Sequence, residues 1–111
     1  MAQFEVFWEY LQANLKAGMK IWNWTADKGY FSDDIIIEGL DADSVMVRVS
    51  EANNIQVVPR GQFEIVFNAW DEYKAHRLMR SELRRLTRFS RYIINILRWY
   101  EQRITQGENR P

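Results

Sequence analysis

The apolar residues of this chain change period twice, from helical to alternating and back to helical. Phe4, Phe7, Trp8, Leu11 and Leu15 recur at steps of three and four, which marks one face of an amphipathic helix. Gly18 is the expected stop, because glycine accepts the left-handed backbone that ends many helices. Between residues 19 and 60 the helical period is lost. Val45, Val47 and Val49 alternate with Met46, Arg48 and Ser50, the period of a half-buried strand. Residues 21–24, the β-branched run 35–37 and residues 55–58 are further expected strands. Ser50, Glu51, Ala52, Asn53 and Asn54 have the length and composition of a hairpin loop, and residues 39–43 read as a second turn.

From residue 62 the helical period returns. Phe63, Val66, Phe67, Trp70 and Tyr73 share one face. Leu78 or Met79 with Leu83 and Leu86 mark a short helix, and Ile93, Ile96, Leu97, Tyr100 and Ile104 mark a final one. Ser81 and Ser90 are expected N-caps for these two helices, since a serine side chain can accept an orphan amide. The expected fold is therefore α+β: an N-terminal helix, an antiparallel meander of three or four strands, and a C-terminal three-helix segment. Residues 1–105 read as one domain and 106–111 as a frayed polar tail.

A chain of 111 residues that is 47% hydrophobic and 14% aromatic can build a core without a metal or disulfide staple. It has no cysteine, which excludes disulfides, thiolate nucleophiles and cysteine-based zinc sites. Glu5 and Glu9 stand where a signal peptide would carry basic residues, and no apolar run approaches the roughly 20 residues that span a bilayer. The expectation is a cytoplasmic protein with no membrane segment.

Net charge is zero, but the charges are sorted along the chain. Residues 1–72 hold twelve acids against five bases, a formal −7; residues 73–111 hold ten bases against three acids, a formal +7. Between 74 and 98 there are seven arginines and one lysine, with Glu82 the only acid. This pattern points to an anionic partner, or to the acidic half of the same fold or of another protein.

The basic stretch has the form of a helix-turn-helix. A short helix over 81–87, a break at 87–90 and a longer helix opening with polar and basic residues resemble that motif, whose second helix enters the major groove. On the second helix Arg91, Asn95, Arg98 and Gln102 fall at steps of four, three and four, so they form one polar stripe, expected to face outward. Arginine can bond guanine bidentately and asparagine can bond adenine. Arg84, Arg85 and Arg88 precede this helix and are expected to meet phosphates. Arginine's planar fork suits carboxylates as well, so an acidic protein partner is the alternative. Phe89 stands in the turn where a small residue is usual, and reads equally as a core anchor.

Trp22 and Trp24 share a face if 20–25 is a strand, with Tyr30 and Phe31 close behind. Such a cluster could stack unpaired bases. The simpler reading is a core pair under the first helix, which would leave Asn23 and Thr25 facing water.

Little else suggests chemistry. His76 is the only histidine and falls at a helix end, where it is expected to serve the terminal carbonyls. Asp33-Asp34 and Asp41-Ala-Asp43 lack the rest of a calcium loop and read as turn formers. Glu72-Tyr-Lys74 has the acid-x-lysine spacing of some nuclease sites but lies on a helix without a paired acid. No phosphate loop or nucleophile elbow is present. The expected function is thus a small non-enzymatic DNA-binding protein without a cofactor. A docking module for an acidic protein is the alternative, and pairing of −7 with +7 leaves room for a homodimer, first of all a two-fold one.

Overall fold

Helix α1 (Gln3–Asn14) buries Phe4, Phe7, Trp8 and Leu11, the face set by the N-terminal period, and Leu15 is buried just beyond it. In this computed structural model, residues 3–49 and 52–109 are described, without the side chains of 31–33 and 106–109. Strands β1 (Lys20–Thr25), β2 (Gly29–Asp41), β3 (Ser44–Val49) and β4 (Gln56–Pro59) follow, then helices α2 (Arg60–Lys74), α3 (Arg80–Leu86) and α4 (Ser90–Asn109). The fold is α+β, as the two changes of period imply. Ser50 and Glu51 of the expected loop, and Arg110 and Pro111 of the expected tail, lie outside the described residues, while α4 itself reaches Asn109.

The strands form one antiparallel sheet in the order β1-β2-β3-β4. Gly18 does not end α1 directly; it lies four residues beyond it at φ 94°, and its N–H donates to Ile37 O at 2.7 Å, tying the approach to β1 onto β2. A three-residue loop joins β1 to β2, with Gly29 at φ 73° where such hairpins need a left-handed residue. Between β2 and β3 the turn is two residues, Ala42 and Asp43, tighter than the expected 39–43. Asp41 Oδ1 accepts the Asp43 N–H at 2.9 Å and the Ser44 hydroxyl at 3.0 Å. Those two bonds, the Asp43 amide first, hold the Asp41 carboxyl below its ordinary pKa.

Strand β2 slips register twice, once across Trp22 and once between Ile37 and Gly39. At the first slip residues 32–34 of β2 stand opposite Trp22 alone. Asp33 and Asp34, expected in a turn, therefore belong to a bulged stretch of strand, because extra residues can be absorbed by a bulge without reversing the chain.

The inner face of the sheet buries Ile21, Ile35, Ile37, Val45, Val47 and Val58. The helices join one another through aromatic contacts. Phe7 lies 5.4 Å from Phe67 and 5.0 Å from Tyr100, and Trp8 lies 5.3 Å from Phe63. Each such pair adds about 0.5–1.5 kcal/mol beyond its buried area.

Helix α2 ends in a left-handed residue that is not glycine. His76 has φ 62°, its N–H donates to Tyr73 O at 3.1 Å, and the Arg77 N–H reaches back to Glu72 O at 2.9 Å. This is the Schellman arrangement. The backbone of His76 serves the helix carbonyls; its ring Nδ1 lies 3.6 Å from Asp27 Oδ1 instead.

The two expected serine caps are replaced by other groups. Helix α3 starts at Arg80, and the Glu82 carboxylate accepts the Met79 N–H at 2.8 Å. Ahead of α4 the Thr87 hydroxyl accepts the Phe89 N–H at 3.1 Å, and Phe89 O accepts the amides of Tyr92 and Ile93. Ser90 is buried and its hydroxyl accepts a bond from Arg80. Phe89 is a core anchor. On α3 only Leu83 is buried: a seven-residue helix turns one narrow stripe inward, so Met79 and Leu86 point out.

Candidate anion-binding face

Helix α3 and the turn after it carry four arginines, and the first turn of α4 adds a fifth. Arg80 and Arg84 lie one helical turn apart, and Arg84, Arg85 and Arg88 are exposed. Arg91 opens α4 half-buried. Arg80 is the anchor of the group. Its Nη1 donates to Ser90 Oγ at 3.3 Å, while its Nε is buried without a hydrogen-bond partner. Burial first, and repulsion by Arg84 and Arg91, hold its pKa below the ordinary arginine value against the pull of the Tyr73 phenol. Arg84 and Arg91 therefore stand near enough for their charges to act on Arg80.

The other described cations near acids are answered. Arg48 pairs with Glu38, Arg60 with Glu5, Lys74 with Glu101, and Arg77 with Glu72 through a fork of two 2.9 Å bonds. Arg80, Arg84, Arg85, Arg88, Arg91 and Arg98 have no ion pair among the described residues. The sequence segregation of charge is thus not neutralised by the acidic half at this face.

The outer stripe expected on α4 does not exist as expected. Asn95 is only 1% exposed. Its Oδ1 accepts the backbone N–H of Trp24 at 2.7 Å, and its Nδ2 donates to Asn23 Oδ1 at 3.1 Å. Strand β1 is a sheet edge, and Asn95 satisfies a donor there that no further strand takes. Ile93, Ile94, Ile96 and Leu97 are buried on the remaining sides, so this part of α4 is enclosed all round. It cannot lie in a major groove as a recognition helix does, and Asn95 cannot read a base. Arg98 is also turned inward: its guanidinium sits 4.8 Å from the centre of the Trp24 ring and 6.0 Å from that of Tyr30. Of the six expected contact residues, Arg84, Arg85 and Arg88 are open, Arg91 is partly so, and Asn95 and Arg98 serve the fold. Arg80, which the sequence pattern does not single out, is the residue around which the cluster gathers.

The aromatic hairpin divides in two. Trp24 packs 6.1 Å from Trp70 and 6.4 Å from Tyr73. Trp22 is 66% exposed, against the core role expected of it, and Tyr30 is 46% exposed. Asn23 is buried rather than solvated, because the inward positions of β1 belong to Ile21 and Asn23. Trp22, Tyr30 and Gln102 of α4 line a shallow cleft of about 360 Å³.

The residues weighed for catalysis have structural partners. Glu72 binds Arg77, which with its bonds holds the carboxyl below its ordinary pKa. Lys74 binds Glu101, and the buried Tyr73 hydroxyl accepts the Ala26 N–H at 3.0 Å. Among the described residues no group of three His, Asp or Glu is placed to hold a metal ion, and no helix is long and apolar enough to cross a membrane. No family model, curated protein or solved structure matches this chain.

Proposed function

We propose that this protein binds nucleic acid, DNA in the first instance, without catalysing a reaction, and that Arg80, Arg84, Arg85, Arg88 and Arg91 meet the phosphate backbone. The observation that carries the reading is the cluster of arginines without ion pairs, built around the half-buried Arg80. Cations placed so close repel one another, and a polyanion relieves that repulsion while arginine's fork matches the phosphate oxygens. With residues 93–97 of α4 enclosed, the contacts of the arginines are to backbone and not to base edges in a groove. Affinity then depends on phosphate count and is weakly selective for duplex sequence. A cytoplasmic location belongs to the same proposal, and cell fractionation checks it.

Fluorescence anisotropy with a labelled duplex across a salt series tests this reading. Log affinity should fall linearly with log salt, and Arg84→Glu with Arg88→Glu should flatten the slope by about 2, roughly one unit for each phosphate no longer neutralised. Absence of binding to duplex and to single strand at low salt removes the proposal.

A second reading rests on Met79 and Leu86, 66% and 49% exposed beside the arginines. Methionine and arginine together are typical of protein interfaces, so an acidic protein could dock on α3. In that case Met79→Ser and Leu86→Ser weaken capture of the partner, whereas nucleic-acid binding tolerates both.

A further inference from the structure

We infer that the exposed Trp22 ring is a stacking platform for an unpaired base, so that the nucleic acid favoured by this protein is single-stranded. This rests on the nucleic-acid reading above and names the form of the ligand. A large aromatic on an edge strand is costly to leave in water, yet Trp22 is 66% exposed while Ile21 and Asn23 on either side are buried. Tyr30 stands edge-on to it, with ring centres 6.5 Å apart at 80°. That contact braces the indole while most of the residue stays exposed. Gln102 lines the same cleft, with an amide that can donate to and accept from the edge of a base.

The charge around the platform is mixed, since Asp34 lies in the stretch of β2 opposite Trp22, but two lysines are placed to meet the phosphates of a strand. Lys20 precedes Trp22 on the same face of β1, and Lys28 lies in the hairpin turn; both are exposed and have no ion pair among the described residues. Arg91 and Gln102 are eleven residues apart on α4, which is about 16 Å of helix. A strand with phosphates at Arg84 and Arg91 can therefore reach the cleft within a few nucleotides. A duplex cannot use Trp22, since its bases are already stacked on one another. Stacking on an aromatic needs a base with a free face, and every base has one, so the expected preference is for strandedness over sequence.

The test uses a fluorescein-labelled single strand of about twelve nucleotides, within the usual range of such sites, and the duplex made from it. Trp22→Ala should weaken single-strand binding about tenfold, the effect of removing one stacked base, and leave duplex binding unchanged. Tyr30→Ala, which unbraces the indole without removing it, should give a smaller loss of the same sign. Thermal unfolding of each variant establishes that it is folded. Equal single-strand affinity for the wild type and Trp22→Ala overturns the inference while leaving the arginine reading in place. Loss of all binding by the wild type at low salt overturns both.

Discussion

The Asn95 side-chain oxygen accepts the backbone N–H of Trp24 at 2.7 Å, and so joins the longest helix to the edge of the sheet. A buried polar group is worth little when paired but costs its full desolvation when its partner is removed. Asn95→Leu fills similar space and leaves both the Trp24 N–H and Asn23 without this partner. It should destabilise the protein by about 1–3 kcal/mol in urea unfolding. Binding by the folded fraction should be unchanged. A variant of wild-type stability with weakened binding would restore Asn95 to the contact surface.

The arginine cluster predicts a response to simple anions. Phosphate that binds the folded protein between Arg80, Arg84 and Arg91 raises the unfolding temperature, by an amount that grows with the logarithm of phosphate concentration above the dissociation constant. The rise should exceed that given by chloride at the same ionic strength. Phosphate also stabilises proteins by exclusion from their surface, so the discriminating quantity is the difference between wild type and Arg84→Gln with Arg91→Gln. That difference should be positive and should keep rising with the logarithm of phosphate concentration. A parallel rise in both proteins locates no site at the cluster.

His76→Gly should stabilise the fold by about 1 kcal/mol, because a left-handed conformation is strained for a residue with a side chain and free for glycine. The substitution also removes the approach of His76 to Asp27, but both side chains are exposed and their pairing offsets little of this gain. Denaturant midpoints compared at equal slope measure the change. A lower midpoint for the glycine variant would assign the Asp27 pairing more weight than its exposure suggests.

Acid should remove the contribution of Asp41. Its folded pKa lies below the unfolded value of 3.8, so the stabilisation is complete above that pH and disappears as pH falls through the folded pKa. Asp41→Asn keeps the acceptor and loses the charge. Wild type should be the more stable of the two at pH 6, and the gap should close below about pH 4, near the ordinary carboxylate range. A gap that does not narrow as pH is lowered through the carboxylate range would have to come from something other than ionisation.

Much of the fold was legible because apolar spacing has only two readings in a small domain. Phe4, Phe7, Trp8 and Leu11 on α1, and Val45 and Val47 on β3, are buried as their periods require. The candidate site was less legible, and the reason is visible at Asn95. A polar residue at helical spacing among arginines looks the same in sequence whether it faces water or the open edge of a strand. Only the packing of α4 along β1 decides, and that contact joins residues more than seventy positions apart. Trp22 carries the converse lesson. Aromatics dominate small cores, so two tryptophans in one strand read as core, but the inward places of β1 go to its neighbours Ile21 and Asn23. The charge segregation did point to the region where unpaired arginines gather. Which arginines are anchored and which are open depended on Ser90 and on the burial of Arg80.

Both flanks of the sheet are poor templates for another chain. On one side an amide of β1 is already occupied by Asn95. On the other, β4 is four residues long and ends in Pro59, which has no N–H to offer. Strand-by-strand growth into fibrils has no good starting point at either side. The barrier to aggregation is thus partly the work of one asparagine, and its loss should show as slow β-rich precipitation on prolonged warming before it shows as loss of solubility in the cold.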